Sequence, residues 1–258
     1  MSNIPHFQSH GQDGKPVLLF LHGIGGDNHA FDAQLPAFAD RWRAVSWDMP
    51  GYGQSAPLDE MTFPALGDAV ARLLDHLDAP TAAIVGHSMG GMVAQEFIAL
   101  HPGRTSALVL SGTSPAFGKP GKWRDGFLGQ RLAPLDKGLR PADFAGDLVP
   151  NMMGDNPTAE AVAAAMASMS ALSAQAYRAA LHCLVTFNRR DNLENINCPT
   201  LALAAEMDEA APAGMMEKMA GNIADCRYHC LTGVGHLANL EDPENFNKAI
   251  RTFLDEVA

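Results

Sequence analysis

Gly86-His87-Ser88-Met89-Gly90 is the most informative segment of this chain, because the residues on either side of it read as regular structure. Before it, residues 81–85 form a short apolar run with β-branched side chains, which is typical of a buried strand. After it, residues 91–101 repeat apolar side chains at helical spacing. The order therefore predicts a strand, a sharp turn that contains Ser88, and a helix.

The five residues have the pattern G-x-S-x-G of a nucleophile elbow. To lift a serine hydroxyl clear of the sheet edge, the turn must be so tight that the serine backbone is strained and its neighbours carry almost no side chain. Gly86 and Gly90 meet this requirement. The positive end of the following helix would then point at the place where an oxyanion forms. The alternative is a glycine-rich turn without chemistry, so the other motifs of the chain must decide.

A second glycine-rich loop follows the apolar run of residues 17–21. The loop, His22-Gly23-Ile24-Gly25-Gly26, has three glycines in four positions, which suggests backbone N–H groups held open near a ligand. On this interpretation the main-chain N–H groups of Ile24 and Met89 form an oxyanion hole. The alternative is a loop with a structural histidine at His22.

Strands and helices alternate along most of the chain, which predicts a parallel sheet covered on both faces with the site at the carboxyl ends of its strands. Asp13-Gly14 between two extended runs predicts a hairpin that joins residues 3–8 to residues 17–21. Asp48 is expected to brace its loop rather than take part in chemistry, and Asp242 to cap the last helix. Further strands are predicted over 43–47, 107–110, 200–204 and 227–231, and further helices over 63–77 and 212–220.

The alternation stops between residues 114 and 190, where Pro and Gly are frequent and a helical run rich in Ala and Met follows. Asn156 can cap this run, with Pro157 at the first helical position and Glu160 in the first turn. The run continues to about residue 187. We interpret residues 114–190 as a helical insertion, and residues 1–113 and 191–258 together as one core domain.

Composition limits the class of protein. At 258 residues the chain is long enough for one large α/β domain, and its net charge of −11 gives no electrostatic reason to bind nucleic acid or an anionic membrane. No apolar run approaches the ~18 residues of a membrane span, and the first residues lack a signal-peptide pattern, so we expect a cytoplasmic monomer or homodimer. The four cysteines are expected to be reduced structural thiols, and no metal site is expected.

Three groups that could cooperate in nucleophilic catalysis follow predicted strands, in the order Ser88, Asp208 and His236. Serine is a poor nucleophile at neutral pH, so it needs a histidine to take its proton. The histidine in turn needs a buried carboxylate that fixes its tautomer and stabilises the imidazolium. Taken singly, Asp208 is explained as well by a loop or a helix cap, and His236 by a structural role, while Glu206 is a rival acid. Together the three fit one chemistry.

These motifs resemble the α/β-hydrolase superfamily over nearly the whole chain. They stand in the order of that family, each at the end of a predicted strand: His22-Gly23, residues 48–55, residues 86–90, Asp208 and Gly235-His236. The resemblance implies the α/β-hydrolase fold, a mostly parallel doubly wound sheet with an inserted helical cap. It implies that Ser88 is the nucleophile and His236 the general base and acid. The family has its acid at the distance of Asp208 beyond the strand, which favours Asp208 over Glu206.

Residues 235–243 and 88–92 are similar to 3-oxoadipate enol-lactonases and related small-molecule esterases. This similarity implies a serine hydrolase that cleaves a small carboxylic ester or lactone through an acyl-serine intermediate, without a metal or organic cofactor. Two alternatives stay open. One is hydrolysis of a carbon–carbon bond in a vinylogous diketone acid, which uses the same serine and histidine. The other is ligand binding without catalysis on the same fold.

Substrate choice is expected to lie in the inserted segment. Aromatic and methionine side chains of this segment suggest an adaptable apolar pocket, although packing against the core explains each of them as well. They are Trp123, Phe127, Met152, Met153, Met166 and Met169. Arg124, Arg189 and Arg190 could bind a substrate carboxylate, as an enol-lactone acid would need. Ordinary surface exposure is the alternative for these arginines.

Overall fold

A computed structural model of the protein describes residues 4–118 and 121–257. The described residues form a seven-stranded sheet with helices on both faces. Its strands are β1 (Phe7–His10), β2 (Val17–Leu21), β3 (Arg43–Trp47), β4 (Ala82–His87), β5 (Thr105–Ser111), β6 (Thr200–Ala205) and β7 (Cys226–Leu231). They lie in the order β1-β3-β2-β4-β5-β6-β7, and every neighbouring pair is parallel except β1 with β3. This mostly parallel sheet confirms the predicted α/β architecture.

Helices connect the strands. They are α1 (Gln34–Phe38), α2 (Phe63–His76), α3 (Met89–Leu100), α4 (Lys122–Asp136), α5 (Pro141–Leu148), α6 (Ala159–Ala171), α7 (Ala174–Leu184), α8 (Ala213–Ala220), α9 (Ala238–Glu241) and α10 (Pro243–Val257). Short 3-10 helices cover Asn28–Phe31, Pro150–Met152 and Arg190–Asn195. Outside the inserted segment and the first strand, the predicted strands and helices agree with these bounds to within two residues.

Two apolar layers enclose the sheet. In β2, Leu18 and Phe20 belong to a buried cluster with residues of α1 and α10, whereas Val17, Leu19 and Leu21 belong to a second cluster with residues of α2 and α3. Successive side chains of a strand point to opposite faces, so a strand covered by helices on both sides must be apolar at every position. The unbroken apolar run of β2 has this cause.

The predicted amino-terminal hairpin is wrong. Residues 12–15 do form a turn, but β1 pairs antiparallel with β3, with Phe7 opposite Trp47 and His10 opposite Ala44. Strand β2 is already paired on one side with β3 and on the other with β4, so it has no free edge to offer. The chain therefore crosses from the open edge of β3 to the interior of the sheet after the turn.

Helix capping in the inserted segment also differs from the prediction. The cap of α6 is Thr158, whose Oγ1 accepts a hydrogen bond from the N–H of Ala161 at 3.1 Å, and Asn156 lies outside the helix. The continuous run to residue 187 is interrupted, because Ser173 caps a separate helix, α7. Hydroxyl side chains at both positions satisfy backbone donors that would otherwise be unpaired. By contrast, Asp242 caps α10 as predicted, with Oδ1 3.1 Å from the N of Asn245.

The described residues between β5 and β6, 112–118 and 121–199, add no strand to the sheet and contain α4 to α7. The two ends of the inserted segment meet in a short antiparallel contact, in which the N–H of Phe117 bonds the carbonyl of Phe187 at 3.0 Å and the N–H of Arg189 bonds that of Pro115 at 2.7 Å. Within the described residues, no helix has the length and apolar character that crossing a membrane requires.

Candidate active site

The turn that contains Ser88 lies between β4 and α3, as the sequence predicts. Ser88 has φ 54° and ψ −121°, a backbone conformation that a residue with a side chain adopts only under constraint. A Cβ at Gly86 would lie 2.6 Å from the Cα of Gly91, and one at Gly90 would overlap the carbonyl oxygen of Leu21. Close packing of β2, β4 and α3 thus requires both glycines and holds Ser88 at the carboxyl end of β4.

The structure brings Ser88, His236 and Asp208 into one hydrogen-bonded line. The Oγ of Ser88 lies 2.9 Å from Nε2 of His236, and Nδ1 of His236 lies 2.8 Å from Oδ2 of Asp208. The second carboxylate oxygen, Oδ1, accepts hydrogen bonds from the N–H groups of Ala210 at 2.8 Å and Ala211 at 2.9 Å. These bonds fix the carboxylate, so His236 carries its proton on Nδ1 and presents Nε2 as an acceptor to the serine hydroxyl.

Glu206, the rival acid, stands apart from this line. It is exposed, and its Oε2 accepts a hydrogen bond from the N–H of Gly233 at 2.9 Å. Because Nδ1 of His236 is bound to Asp208, the geometry favours Asp208 as the orienting carboxylate.

The carboxylate beside the histidine is held in its charged form. Burial by itself would raise the pKa of Asp208, but the hydrogen bond and the charge of His236, together with the N–H of Ala211, bring that pKa below its ordinary value. A carboxylate that stays charged can stabilise an imidazolium at His236, which is the state that serine attack creates.

His87, next to the serine in sequence, has the opposite electrostatic character. Its ring lies beside that of His236, with centroids 4.9 Å apart, and is almost fully buried. Burial first, and then the charge of His236, lower the pKa of His87 to about 3. His87 is therefore neutral near pH 7, and a second positive charge does not compete with the imidazolium of His236.

His22 orients the glycine-rich loop of residues 22–26. Its Nε2 accepts a hydrogen bond from the N–H of Met49 at 3.0 Å, so its Nδ1 carries the proton and donates to the carbonyl of Gly23 at 2.8 Å. The N–H of Gly26 donates to the same carbonyl at 3.1 Å. In a trans peptide the N–H points opposite to the carbonyl, so the N–H of Ile24 is turned away from His22. Burial lowers the pKa of His22, in keeping with this neutral tautomer.

The loop lies directly against the serine. A Cβ at Gly23 would be 2.9 Å from Cβ of Ser88 and 3.4 Å from its Oγ. The hydroxyl of Tyr52 donates to the carbonyl of Ile24 at 2.9 Å, which fixes the next peptide as well. Met89 begins α3, and an N–H in the first turn of a helix has no acceptor within the helix. Both predicted donors therefore flank the serine, and His22 has the structural role as well.

Asp48 braces the neighbouring loop, as expected. Its buried carboxylate accepts hydrogen bonds from the N–H of Asn28 at 2.9 Å, from the N–H of Gln54 at 3.0 Å and from the ring of His6 at 2.7 Å. These bonds join the loop after β3 to the end of the glycine-rich loop, so Asp48 supports the site from outside it.

An apolar pocket opens onto Ser88 and His236, and its empty space, together with the solvent at its open mouth, amounts to about 650 Å³. Its walls come from the glycine-rich loop of residues 22–26, from the turn that contains Ser88, from the loop of His236 and from α5 to α7. No Lys, Arg, Asp or Glu side chain belongs to the lining formed by the described residues. The side chains from the inserted segment are Leu148, Val149, Met152, Ala165, Ser168, Met169 and Tyr177.

Most of the predicted substrate-binding residues lie elsewhere. Met152 does line the pocket, whereas Trp123 and Phe127 stack on each other on α4, with centroids 5.6 Å apart, and Trp123 is 46% exposed. Arg189 binds the buried carboxylate of Glu96, because a buried charge needs a partner. In the described part of the chain, Arg124 and Arg190 are also absent from the lining. Five predicted binding residues (Trp123, Phe127, Arg124, Arg189 and Arg190) therefore lie outside the described lining of the pocket, as do Met153 and Met166.

Sequence reasoning missed several residues that shape the site. Ser168 belongs to an alanine- and methionine-rich run in which nothing distinguishes it, yet it lines the pocket beside Met169, which the sequence did suggest. The Oγ of Ser168 donates to Oδ1 of Asp27 at 2.8 Å and so joins α6 to the glycine-rich loop. Glu241 binds the loop of His236, and its only signal in the sequence was its place five residues after the histidine.

The cysteines are free thiols that lie outside the pocket lining. Burial raises the pKa of Cys183 to about 12 and that of Cys226 to about 11, which makes both poor nucleophiles and poor metal ligands near pH 7. Across residues 4–118 and 121–257, no group of three or more His, Cys, Asp or Glu side chains is arranged to hold a metal ion.

Known proteins share this sequence pattern and this fold. A family profile described as alpha/beta hydrolase fold matches residues 16–243. The chain is similar to 3-oxoadipate enol-lactonase 2 of Acinetobacter baylyi, with 27% identity over 256 residues that cover 96% of this chain and 92% of the enol-lactonase. It is also similar to the pimeloyl (acyl-carrier protein) methyl ester esterase of Vibrio vulnificus, with 29% identity over 98% of this chain and 99% of the esterase.

Solved structures give the same result. A thermophilic esterase from Thermogutta terrifontis superposes with a TM-score of 0.88 at 27% identity, over 98% of this chain and 93% of the esterase chain. The agreement includes the inserted segment, since almost the whole length of both chains is aligned.

Proposed function

This chain belongs to the α/β-hydrolase family, and on that premise we propose that it is a serine hydrolase that cleaves a small carboxylic ester or lactone through an acyl-serine intermediate. The observation that carries the proposal is the hydrogen-bonded line from Ser88 through His236 to Asp208, with separations of 2.9 and 2.8 Å. The names of its relatives, an enol-lactonase and two esterases, support the same class of reaction.

In the acylation step, Oγ of Ser88 attacks the carbonyl carbon while its proton passes to Nε2 of His236. Asp208 stabilises the imidazolium through the bond to Nδ1. The carbonyl oxygen becomes an oxyanion, which the N–H groups of Ile24 and Met89 bind; each such donor lowers the barrier by about 3 kcal/mol. His236 then gives its proton to the leaving alkoxide or enolate, and the acyl group stays on Oγ.

Deacylation follows the same path with water as the nucleophile. Nε2 of His236 takes a proton from water, whose oxygen attacks the acyl carbon, and the oxyanion again binds in the hole. When the tetrahedral intermediate collapses, Oγ of Ser88 leaves and takes back the proton from His236. The products are the carboxylic acid and the alcohol or enol, and the enzyme is regenerated.

The pocket favours an uncharged substrate. Its described lining is apolar apart from the site residues, the hydroxyl of Tyr177 and the short polar side chains of Ser168 and Asn239. A buried carboxylate without a cation beside it is costly. Because the carboxylates of Asp27 and Asp208 lie near the pocket, a negatively charged acyl chain would also be repelled.

This preference separates the chain from substrates that carry a second acid group. An enol-lactone acid needs a cation for its free carboxylate, and Arg189 is already bound to Glu96. We therefore favour a neutral ester or lactone with a short acyl chain. We also propose that residues 114–190 act as the cap that selects this substrate, since α5 to α7 form much of the pocket wall.

The first test is labelling of the serine. Wild-type protein should gain a single fluorophosphonate adduct on Ser88, seen by intact-mass spectrometry, and should hydrolyse p-nitrophenyl esters best at short chain length. Ser88→Ala should gain no adduct and lose turnover by about 10⁴-fold or more. A folded wild-type protein that takes no adduct would contradict the proposal and favour a ligand-binding protein.

The second test compares two substrates that differ in one charge. Dimethyl glutarate should be hydrolysed once, and the product, monomethyl glutarate, should accumulate because its carboxylate has no cation in the pocket. Replacement of the pocket residue Leu148 by Arg should speed the second hydrolysis, whereas Leu148→Gln should not. Equal rates on both esters would contradict the preference for neutral substrates but leave the serine mechanism in place. Release of a carboxylic acid and an enol, or its ketone, from a dienone acid would instead indicate hydrolysis of a carbon–carbon bond.

A further inference from the structure

The loop that carries His236 is held at three consecutive backbone N–H groups. Gly235 donates to both oxygens of Glu241 at 3.1 Å, His236 donates to the carbonyl of Met152 at 2.7 Å, and Leu237 donates to Oε1 of Glu241 at 3.2 Å. This loop has no strand partner of its own at these positions, so its conformation depends on these two acceptors. One acceptor is a side chain from α9, and the other is a carbonyl of the inserted segment.

The same carboxylate also binds the inserted segment directly. Oε2 of Glu241 accepts a hydrogen bond from the N–H of Gly154 at 2.6 Å. Glu241 therefore receives N–H groups from both sides, two from the histidine loop and one from the segment that follows α5. Hydrogen bonds from N–H groups to a charged carboxylate are among the stronger ones in proteins.

The two backbones are in direct contact around this carboxylate. A Cβ at Gly154 would lie 2.8 Å from the carbonyl oxygen of Gly233, and a Cβ at Gly235 would lie 2.5 Å from the carbonyl carbon of Met153. Neither position has room for a side chain, and the nearest atoms belong to the backbone, which cannot move aside easily. The backbone of residues 152–154 therefore packs directly against the backbone of residues 233–235 in the histidine loop.

We propose that Glu241 is a positioning residue that aligns His236 and couples this alignment to the seating of residues 152–154 on the histidine loop. The same hydrogen bonds then position both the pocket wall at Met152 and the general base His236. His236 is correctly aligned only when residues 152–154 pack against the histidine loop. The proposal rests on the proposed hydrolase function for its assay. Glu241 does not belong to the described pocket lining, although its neighbour Leu240 does, so it acts through His236 and not on the substrate.

Alignment matters because Nε2 must serve both Oγ of Ser88 and the leaving group. A displacement of ~1 Å in such a site can lower the rate by about 100-fold. Replacement of Glu241 by Ala should therefore lower kcat and the rate of fluorophosphonate labelling of Ser88 by about 30- to 100-fold, with KM for a short neutral ester changed by less than about threefold. Glu241→Gln keeps one accepting oxygen and should fall between Ala and the wild type.

Glu206 supplies the matched control. Its carboxylate accepts the N–H of Gly233 on the same loop, at 2.9 Å, but holds neither the histidine nor the inserted segment. Glu206→Ala should keep kcat within about threefold of wild type. The low-field proton resonance of Nδ1 in His236, which reports the bond to Asp208, should broaden or shift in Glu241→Ala and stay in place in Glu206→Ala.

The coupling is tested from the inserted segment. Gly154→Ala should lower labelling of Ser88 as Glu241→Ala does, while Gly146→Ala in α5, where a Cβ meets open space, should not. If Glu241→Ala fails to fold, Glu241→Gln and Gly154→Ala carry the test. A folded Glu241→Ala protein with near wild-type kcat, or with no greater loss than Glu206→Ala, overturns the proposal. Loss of labelling in the wild type itself would instead contradict the hydrolase function.

Discussion

Arg189 binds Glu96 through two hydrogen bonds, from Nε to Oε2 at 2.6 Å and from Nη2 to Oε1 at 2.5 Å. Glu96 is 3% exposed and belongs to α3, the helix that follows Ser88, whereas Arg189 lies at the end of the inserted segment. The ion pair thus joins the base of the insertion to the helix that positions Ser88. It also explains why Arg189 is not available to a substrate.

Arg189→Ala should destabilise the protein by about 3–5 kcal/mol, because it leaves the buried Glu96 carboxylate without a partner. KM for a neutral ester should stay near that of wild type. Urea unfolding and steady-state kinetics measure the two quantities.

Arg178→Ala is the control for this substitution. Arg178 forms an exposed pair with Asp136 at 2.7 Å, so its loss should change the free energy of unfolding by less than ~1 kcal/mol. A raised KM with unchanged stability in Arg189→Ala would mean that this arginine binds substrate after all.

His22→Phe tests the orientation of the glycine-rich loop, residues 22–26, which carries the proposed oxyanion donor Ile24. The phenyl ring stays aromatic but is somewhat larger than imidazole, and it loses the donor to Gly23 and the acceptor for Met49. We therefore expect kcat to fall about 10- to 100-fold as the Ile24 N–H loses its fixed direction. The unpaired N–H of Met49 should destabilise the fold by about 1–3 kcal/mol.

Tyr52→Phe removes the other hydrogen bond to this loop, at the carbonyl of Ile24. Because it leaves the Gly23 carbonyl held by His22, its effect on kcat should be several-fold smaller. Thermal unfolding and single-turnover kinetics separate stability from chemistry. A His22→Phe protein with reduced stability and full kcat would show that His22 only supports the fold.

Stability should fall on acidification because of His87. Its pKa drops from 6.5 to about 3 on folding, so the folded state favours the neutral ring. Above pH 6.5 the ring is neutral in both the folded and the unfolded chain, and the free energy of unfolding has its full value. Below pH 6.5 the unfolded chain takes up a proton that the folded chain does not, so the free energy of unfolding falls. The expected slope is about 1.4 kcal/mol per pH unit for each such group.

His87→Gln should therefore flatten the stability curve between about pH 6 and pH 4 by one proton, as followed by urea unfolding at each pH. His22, whose pKa burial also lowers, continues to contribute in this variant. Exposed His182 is the control, and His182→Gln should keep the wild-type slope. An unchanged slope in His87→Gln would mean that His87 is protonated in the folded protein.

Met169→Ala should enlarge the pocket. Met169 is buried, lines the pocket and has its Sδ 3.2 Å from the place of a Cβ on Gly25. We expect a loss of about 2–5 kcal/mol in stability and a shift of the preferred p-nitrophenyl ester to longer chains. Met166→Ala on the same helix, outside the described lining, should leave chain-length preference unchanged.

The elements of the core and the local chemistry of the site could be read from the chain itself. A tight turn requires glycine at Gly86 and Gly90, and helices on both faces of the sheet require the apolar run of β2. These local patterns are therefore sufficient to predict the structure of a few residues at a time. The order of Ser88, Asp208 and His236, each after a strand, was sufficient to place them at one edge of a parallel sheet.

Other contacts between distant groups could be found only in the folded protein. The partner of β1 depends on which strand edge is free, and Asp13-Gly14 could not indicate that β2 had none. The role of Arg189 depended on a carboxylate 93 positions away in sequence, and that of Glu241 on Gly154, 87 positions away. Local sequence encodes the backbone conformations that a turn, a cap or a buried strand needs. Burial, charge pairing and the walls of a pocket arise from contacts between segments that nothing in the local pattern connects.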